Sequence, residues 1–422
     1  MDILISGIGV TGPTLAYWLL QHDASHRITL VERSPDLRAS GQSIDIRQAA
    51  VDVIRCMGII DQVKAHGTTE AGIDFVDESG KAFASFPASG DDEEQSFTSE
   101  YEILRGDLVK ILYETVDGRV KTVFGAKVER YHERKEDGKV DVTLSNGAEA
   151  EYDVVIAADG QSSRIRNMAL GTVDNPRAHY RAFNNYVAYY TMPAIPSLPG
   201  NFARWYNAPG GRAFMIRPDP NPKLCRANII RQLWPGDTKT NERYREALAA
   251  GPEEYKRILR EDYADISWGA KDILAGLDES DEFYASESAQ VQAPTLAVGR
   301  IAFVGDAGYC PTPLTGMGTS LALIGAYILA GEIGSITHSS DVPSALSAYN
   351  DIMLPYSRRV QAIPLAVPRL LNPQTWLALR LVRAVVWFIY ATGVVPLIGR
   401  ITGASSFSKK DFVLPEYTKK KE

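Results

Sequence analysis

Cysteine is scarce in this sequence: Cys56, Cys225 and Cys310 stand far apart and are odd in number. That excludes a disulfide framework and is expected of a chain kept in a reducing compartment, here the cytoplasm. Histidine is almost as sparse. The six (His22, His26, His66, His132, His179, His338) form no HxxxH or Cys/His arrangement with metal-ligand spacing. His22 and His26 are four apart, but they flank the end of an expected helix with Asp23 and Ser25 between them, the setting of surface histidines, so no metal is expected. Excess positive charge is lacking too. Lys and Arg number 45 against 52 Asp and Glu, a net charge of −7, which speaks against nucleic acid as a partner. The terminal run Lys419–Lys421 reads as a solvated tail. No leader is expected, since Met1 runs straight into the strand-like Asp2-Ile3-Leu4-Ile5-Ser6 without a basic segment or cleavage site. Long apolar runs are missing as well. The uncharged stretch Ala384–Gly399 follows Arg380 and Arg383, is interrupted by Gly393 and Pro396, and falls short of the ~20 residues that span a bilayer. The segment from 362 to 402 is therefore expected to pack on the body of the protein, with a peripheral membrane contact left open.

What is present is a chain of 422 residues, 45% hydrophobic and 23% charged, long enough for two units and a cofactor-sized core. Residues 2–6 read as a strand, 11–21 as a helix and 27–32 as a second strand, a parallel pair with a right-handed crossover. A helix over 48–57 ends at Gly58. Residues 71–100, with a turn at Glu78-Ser79-Gly80 and the acidic loop Asp91–Glu94, form an excursion from this first unit. The chain returns with a helix over 106–116 and three antiparallel strands at about 120–131, 139–145 and 150–157, the last two joined by Asn146-Gly147, a strong hairpin signal. From about 176 to 284 the composition turns rich in Tyr, Arg and Pro, with strands near 186–191, 203–207, 213–217 and 226–231 and two helices between 241 and 277. A buried strand at 300–305 then leads into a long helix over 316–333.

Three constellations carry chemistry. Gly7-x-Gly9-x-x-Gly12 lies between the first strand and helix, where glycines let backbone N–H groups and a helix N-terminus approach a pyrophosphate. Glu32 follows twenty residues after Gly12, where a carboxylate can accept from ribose hydroxyls. This first signal fits NAD and FAD alike. Asp159-Gly160-Gln161-Ser162-Ser163-Arg164-Ile165-Arg166 closes the strand ending near Ala157. Gly305-Asp306-Ala307 runs through Pro311, Pro313, Gly316 and Gly318 into a helix. A carboxylate there suits the neutral ribityl hydroxyls, and the helix N-terminus suits the pyrimidine end of a flavin, where negative charge develops on reduction.

In sequence order these motifs resemble those of the class A flavoprotein monooxygenases, the para-hydroxybenzoate hydroxylase-like family, over most of the chain. Gly41-Gln42-Ser43-Ile44-Asp45-Ile46-Arg47 and the stretch 311–330 resemble the branch with tetracycline-inactivating monooxygenases and fungal polyketide hydroxylases. The resemblance implies an α/β fold: a Rossmann-like FAD-binding domain (1–70, 101–175, 285–360) of parallel sheet plus antiparallel meander, an inserted mixed-sheet substrate domain (71–100, 176–284) and a C-terminal helical segment and tail (361–422). It implies FAD, with NADPH or NADH as reductant, and oxygen transfer through a flavin C4a-hydroperoxide to an electron-rich aromatic or polyketide-like molecule. Implied FAD contacts come from Gly7, Gly9, Gly12, Glu32, Arg33, Arg47, Arg105, Asp159, Asp306, Gly316, Gly318 and Thr319. Pro313, Leu314 and Gly316 are expected over the flavin. Arg204 is implied as a substrate-side arginine of catalytic importance or, equally, an exposed strand residue; Met215 and Tyr206 join it on the substrate side. Tyr189 and Arg217 are weaker candidates, because the sequence does not say which strand face looks inward.

The chain departs from the family pattern at Tyr309, where many relatives have His, at Thr319 or Ser320, where many have Asn, and at Gly325-Ala326, where many have Asp-Ala. The tryptophan motif of flavin halogenases is absent. Two other readings remain at this point. One is a flavin-dependent epoxidase or prenyl-lipid reductase on the same fold. The other is a non-catalytic lipid-binding escort resembling the GDP-dissociation inhibitors, which need not keep all three motifs. Monomer and homodimer are both compatible with the sequence.

Overall fold

The computed structural model describes residues 1–37, 41–68, 70–87, 101–195, 198, 200–364, 367–393 and 412–417. The acidic loop at 91–94 lies outside them. Asp2–Ser6 forms the centre of a six-stranded sheet, paired in parallel with Arg27–Glu32 on one side and Val154–Ala157 on the other. Lys121–Phe124 and Ile301–Phe303 extend it in parallel, and the short Ala297–Val298 closes one edge antiparallel. Ile3, Leu4 and Ile5 are wholly buried, as expected of a parallel strand covered on both faces. The helices Thr11–His22 and Gly318–Ser335 pack on this sheet. Gly318–Ser335 is also the one helix among the described residues long and apolar enough to cross a membrane, and the core encloses most of it.

Two expected strands divide. The run at 120–131 breaks at Gly125, whose φ of 68° turns the chain while its N–H bonds Ser34 O. Lys121–Phe124 stays in the parallel sheet, and Val128–Glu133 enters a separate three-stranded antiparallel sheet with Val140–Leu144 and Glu149–Tyr152. The run at 150–157 breaks at Asp153. Its carboxylate accepts the Asp2 N–H at 2.7 Å and pairs with Lys139, which pins the point where the chain leaves one sheet for the other. The Asn146-Gly147 hairpin forms as read, with Gly147 at φ 84°.

The second large sheet has seven strands, in the order Tyr284–Val291, Tyr180–Pro193, Leu224–Gln232, Arg212–Pro218, Phe202–Ala208, Gly72–Val76 and Ala82–Pro87. Three helices, Thr238–Ala250, Pro252–Tyr263 and Ala270–Glu279, stand where two were expected. They cover one face, where Tyr186, Tyr190, Tyr206, Phe214 and Ile229 are buried. The other face carries Val187, Tyr189, Trp205, Ala213, Met215 and Ile230.

Tyr309, one of the departures from the family pattern, explains another. A Cβ on Gly325 would stand 1.8 Å from the Tyr309 hydroxyl, so the tyrosine fills the space a side chain at 325 would need. Its hydroxyl also receives a bond from Tyr349 at 3.2 Å. We predict that Gly325→Ala loses ~1–3 kcal/mol to overpacking, and that Tyr309→Phe in the same chain restores most of it. Chemical denaturation of the two single variants and the double variant measures this. Equal losses in Gly325→Ala with and without Tyr309→Phe would refute it.

Candidate flavin site

A cleft of about 730 Å³ opens between the C-terminal ends of the parallel strands and the uncovered face of the seven-stranded sheet. Its size falls within the range of cofactor pockets. Gly7 follows the first strand at φ 111°, and a Cβ there would stand 2.3 Å from Ala158 O. A Cβ on Gly12 would stand 2.1 Å from Gly7 O. The turn is therefore as tight as backbone allows, and it brings the start of the helix Thr11–His22 against the cleft. Glu32, at the end of the adjacent strand, accepts the N–H of Ile8 at 2.9 Å and of Ser34 at 3.0 Å. Each carboxylate oxygen keeps a lone pair for a further donor.

The second motif is fixed by its own last residue, an arginine to which the sequence reading gave no separate role. Arg166 is fully buried. One terminal nitrogen donates to Gln161 O and to Ala307 O, both at 2.9 Å, so this side chain ties the Asp159 loop to the Gly305-Asp306-Ala307 turn. Ser163 caps the helix Arg164–Ala169 by accepting the Arg166 N–H. Asp159 lines the cleft with a carboxylate oxygen that has no hydrogen-bond partner in the chain, and burial raises its pKa above the ordinary value. A buried acceptor left open beside a cleft is costly unless a ligand supplies the donor.

Asp306 stands at the cleft floor, open to the cleft but walled in by protein on its other sides. That enclosure raises its carboxyl, against the opposing pull of the Cys310 thiol and the Arg105 guanidinium. Arg105 begins the helix Arg105–Glu114, and its guanidinium lies 3.6 Å from the Cβ position of Gly9. Thr312 has a φ of 75°, a strained value for a threonine, and it starts the turn Pro313–Thr315. Gly316, Gly318 and Thr319 continue the same wall. Arg33 lines the outer cleft, and Leu314 belongs to the Pro313 turn without lining the cleft. Arg47 donates its backbone N–H to Ser320 Oγ at 2.9 Å and pairs with Asp45 at 3.0 Å, and its Nε lies 3.8 Å from the Cβ position of Gly316.

These residues meet the needs of FAD. The Gly7–Gly12 turn would take a pyrophosphate, Glu32 would accept from a ribose and Asp306 from the ribityl chain, the first N–H groups of the helix Gly318–Ser335 would meet the ring, and Asp159 offers an orphaned acceptor. The comparisons agree. Residues 1–362 match the family model described as FAD binding domain. The chain is 34% identical over 379 residues to the FAD-dependent monooxygenase asL4 of Sarocladium schorii, covering 86% of this chain and 85% of the relative. It is 32% identical over 436 residues to the flavin-dependent monooxygenase eupH of a Phoma species, covering 99% and 98%. The chain belongs to the class A flavoprotein monooxygenases. The crystal structure of tetracycline destructase Tet(51) superposes on this monooxygenase with a TM-score of 0.77 at 27% identity, over 99% of each chain.

On the substrate side of this monooxygenase, strand parity corrects the reading of Arg204 and Tyr206. In register, Arg204 sits beside Ile216, and Tyr206 beside Phe214. Ile216 and Phe214 belong to the helix-covered face. Tyr206 stacks on Trp268 with ring centroids 5.3 Å apart. Both residues therefore lie on the far side of the sheet from the cleft. Trp205, Met215, Asn228 and Tyr189 align across four strands on the cleft side. Tyr189, Asn228, Arg217 and Arg226 line the cleft itself. A one-residue difference in parity sends a side chain to the opposite face.

Below them lies a buried ionic cluster that no motif announced. Arg217 Nε donates to Glu70 at 2.7 Å, its terminal nitrogen donates to Glu102, and Glu102 also accepts from Thr68. Burial alone would lower the Arg217 guanidinium, but Glu102 and Glu70 outweigh it and hold its pKa above normal. Burial raises both Glu70 and Asp45. Asp45 faces Gly316 with one carboxylate oxygen lacking a partner.

We predict that Asp306→Ala weakens FAD retention by ~1.5–3 kcal/mol for each charge-assisted bond lost, roughly tenfold to a hundredfold. Flavin absorbance after exhaustive dialysis reads this out. Full retention would remove Asp306 from the ribityl site.

Proposed function

We propose that this monooxygenase uses NADPH or NADH and O2 to hydroxylate an electron-rich aromatic or polyketide-like molecule. The substrate lies between the Pro313–Gly316 turn and the cleft-facing side of the seven-stranded sheet. The observation that carries this reading is the row Tyr189, Asn228, Met215 and Trp205 on that side, continued by Phe75, whose ring lies 6.5 Å from Trp205. An aromatic and thioether wall offers a flat apolar platform to a ring, while Tyr189 and Asn228 provide the few polar groups that orient it. Burial raises the Tyr189 phenol well above its ordinary pKa, so it stays neutral and can donate to a substrate oxygen. The similarity to a protein named a tetracycline destructase supports a bulky ringed substrate.

Bound FAD supplies the redox and oxygen-activating chemistry. This chain's part is to hold the ring, exclude water and keep the reacting carbon facing the Pro313 turn. The guanidiniums on this face are already engaged. Arg217 is matched by Glu70 and Glu102, and Arg226 by Asp219 at 2.8 Å and Gly41 O at 2.7 Å. They shape the wall and leave recognition to neutral groups.

The test is NAD(P)H oxidation by the FAD-loaded protein across phenols and polyketides, with mass analysis of products. A true substrate accelerates reductant oxidation and gains one oxygen. With it, Tyr189→Ala is expected to lower kcat/KM on the order of tenfold, ~1.4 kcal/mol, and to release more peroxide per reductant. Arg204→Ala, on the opposite face, is expected to keep coupling unchanged. If Arg204→Ala uncouples and Tyr189→Ala does not, the assigned face is wrong.

A further inference from the structure

The helix Trp376–Thr392 is capped by Thr375 and ends at Gly393 in the left-handed conformation. It lies on the outer end of the seven-stranded sheet. Arg383 donates to Glu78 at 2.7 Å and to Asn207 O at 3.4 Å, and the Tyr390 ring meets Phe86 at 6.0 Å. The chain leading into the helix is held by Gln374, which donates to Gln232 O at 2.8 Å. Only Leu379 is buried in the helix. At helical spacing on the opposite side, Leu377 is 79% exposed, Leu381 66% and Phe388 56%, with Trp387 beside them at 55%. A contiguous apolar face of this kind marks an interaction surface.

Charge says which surface. Between Asp351 and Asp411 the sequence has no acidic residue but six arginines and two lysines, in a chain whose net charge is −7. Arg380 stands on the exposed helix itself. Arg383 is matched by Glu78, so the outward charge of this helix is Arg380, and a second copy would bring another acid-free helix with no partner for it. An anionic lipid surface satisfies both features, because apolar side chains enter the acyl boundary, tryptophans sit at the headgroup level and arginines meet the phosphates. With its inner face committed to the sheet, the helix lies along such a surface.

We propose that the outer face of Trp376–Thr392 is an interfacial docking surface for an anionic bilayer. It rests over the aromatic series Phe86, Phe75, Trp205, whose successive centroids are 5.9 and 6.5 Å apart, so docking places the lipid next to the end of the sheet that carries the substrate wall. The surface is independent of which molecule is oxidised.

The test is co-sedimentation of the full FAD-loaded chain with vesicles of phosphatidylcholine alone and of equal parts phosphatidylcholine and phosphatidylserine. Binding to the mixed vesicles is expected to be at least about tenfold tighter and to weaken with salt. The double variant L381E/F388E is expected to lose about tenfold or more while keeping its flavin absorbance and thermal midpoint, since both side chains point outward. No binding to either vesicle overturns the proposal, as does binding that the double substitution leaves unchanged. So does a dimer that the substitution dissociates in a chain that ignores lipid. Should the double variant not fold, quenching of tryptophan emission in the unaltered chain by brominated phosphatidylserine decides: quenching supports interfacial docking, and its absence overturns it.

Discussion

Replacing Arg217 with methionine is expected to cost ~3–5 kcal/mol of stability, the range for removing one partner of a buried ion pair. The guanidinium sits between Glu70 and Glu102 with Asp45 close by, and the two glutamates are almost wholly shielded from water. Methionine fills much of the volume but leaves two carboxylates facing each other. The loss should depend on pH with a definite sign. Burial already raises Glu70 and Asp45, and the nearby guanidinium lowers them, so its removal raises them further. At acidic pH these carboxyls are protonated in folded and unfolded chains alike, and the deficit is smallest. As pH climbs from the ordinary unfolded-state values toward the raised folded-state ones, the unfolded chain ionises freely and the folded chain does not, so the deficit grows and then levels off above them. Urea denaturation of Arg217→Met against the unaltered chain at several pH values measures both size and slope. A loss below ~1 kcal/mol, or one that shrinks toward neutral pH, would show that the cluster is not held by this charge. Arg217→Lys should recover only part of the loss, because an ammonium lacks the planar fork that reaches both carboxylates.

Gly12→Ala is expected to weaken FAD binding by at least about tenfold, ~1.4 kcal/mol, and to destabilise the fold by ~1–3 kcal/mol. The new methyl would stand 2.1 Å from Gly7 O and 3.7 Å from Ile5. The Ile5 contact is ordinary packing, but Gly7 O is backbone and cannot yield. The start of the helix Thr11–His22 must therefore move off the strand, taking its unpaired N–H groups away from the pyrophosphate position. Gly9→Ala separates the two effects. Its methyl meets only the Arg105 guanidinium, at 3.6 Å, so the folded chain tolerates it while the ligand side of the cleft is narrowed. FAD titration of the apoprotein, with denaturation in parallel, should show Gly12→Ala impaired in both and Gly9→Ala in affinity alone. Normal affinity in both variants would place the pyrophosphate elsewhere.

The sequence by itself determined the cofactor. Gly7-x-Gly9-x-x-Gly12, the Asp159 loop and the Asp306 turn are local patterns whose residue types answer local demands: a tight turn, an open helix N-terminus, a carboxylate at a strand end. Such demands are met within a few residues, so they are legible without a partner strand. The Asn146-Gly147 hairpin was legible for the same reason. What only the tertiary structure decided depends on packing between distant segments. Alternation within Phe202–Ala208 says that Arg204 and Tyr206 share a face, but which face meets the cleft is settled by the helices that bury Tyr206 and Phe214. The strand divisions at Gly125 and Asp153 follow from bonds to Ser34 and Asp2, far away in the chain. Arg166 looked like the end of a motif and is the bolt between two loops. Arg217, Glu70 and Glu102 come from three separate segments, so no spacing rule could connect them. A charge reveals its partner only when the fold removes the water between them.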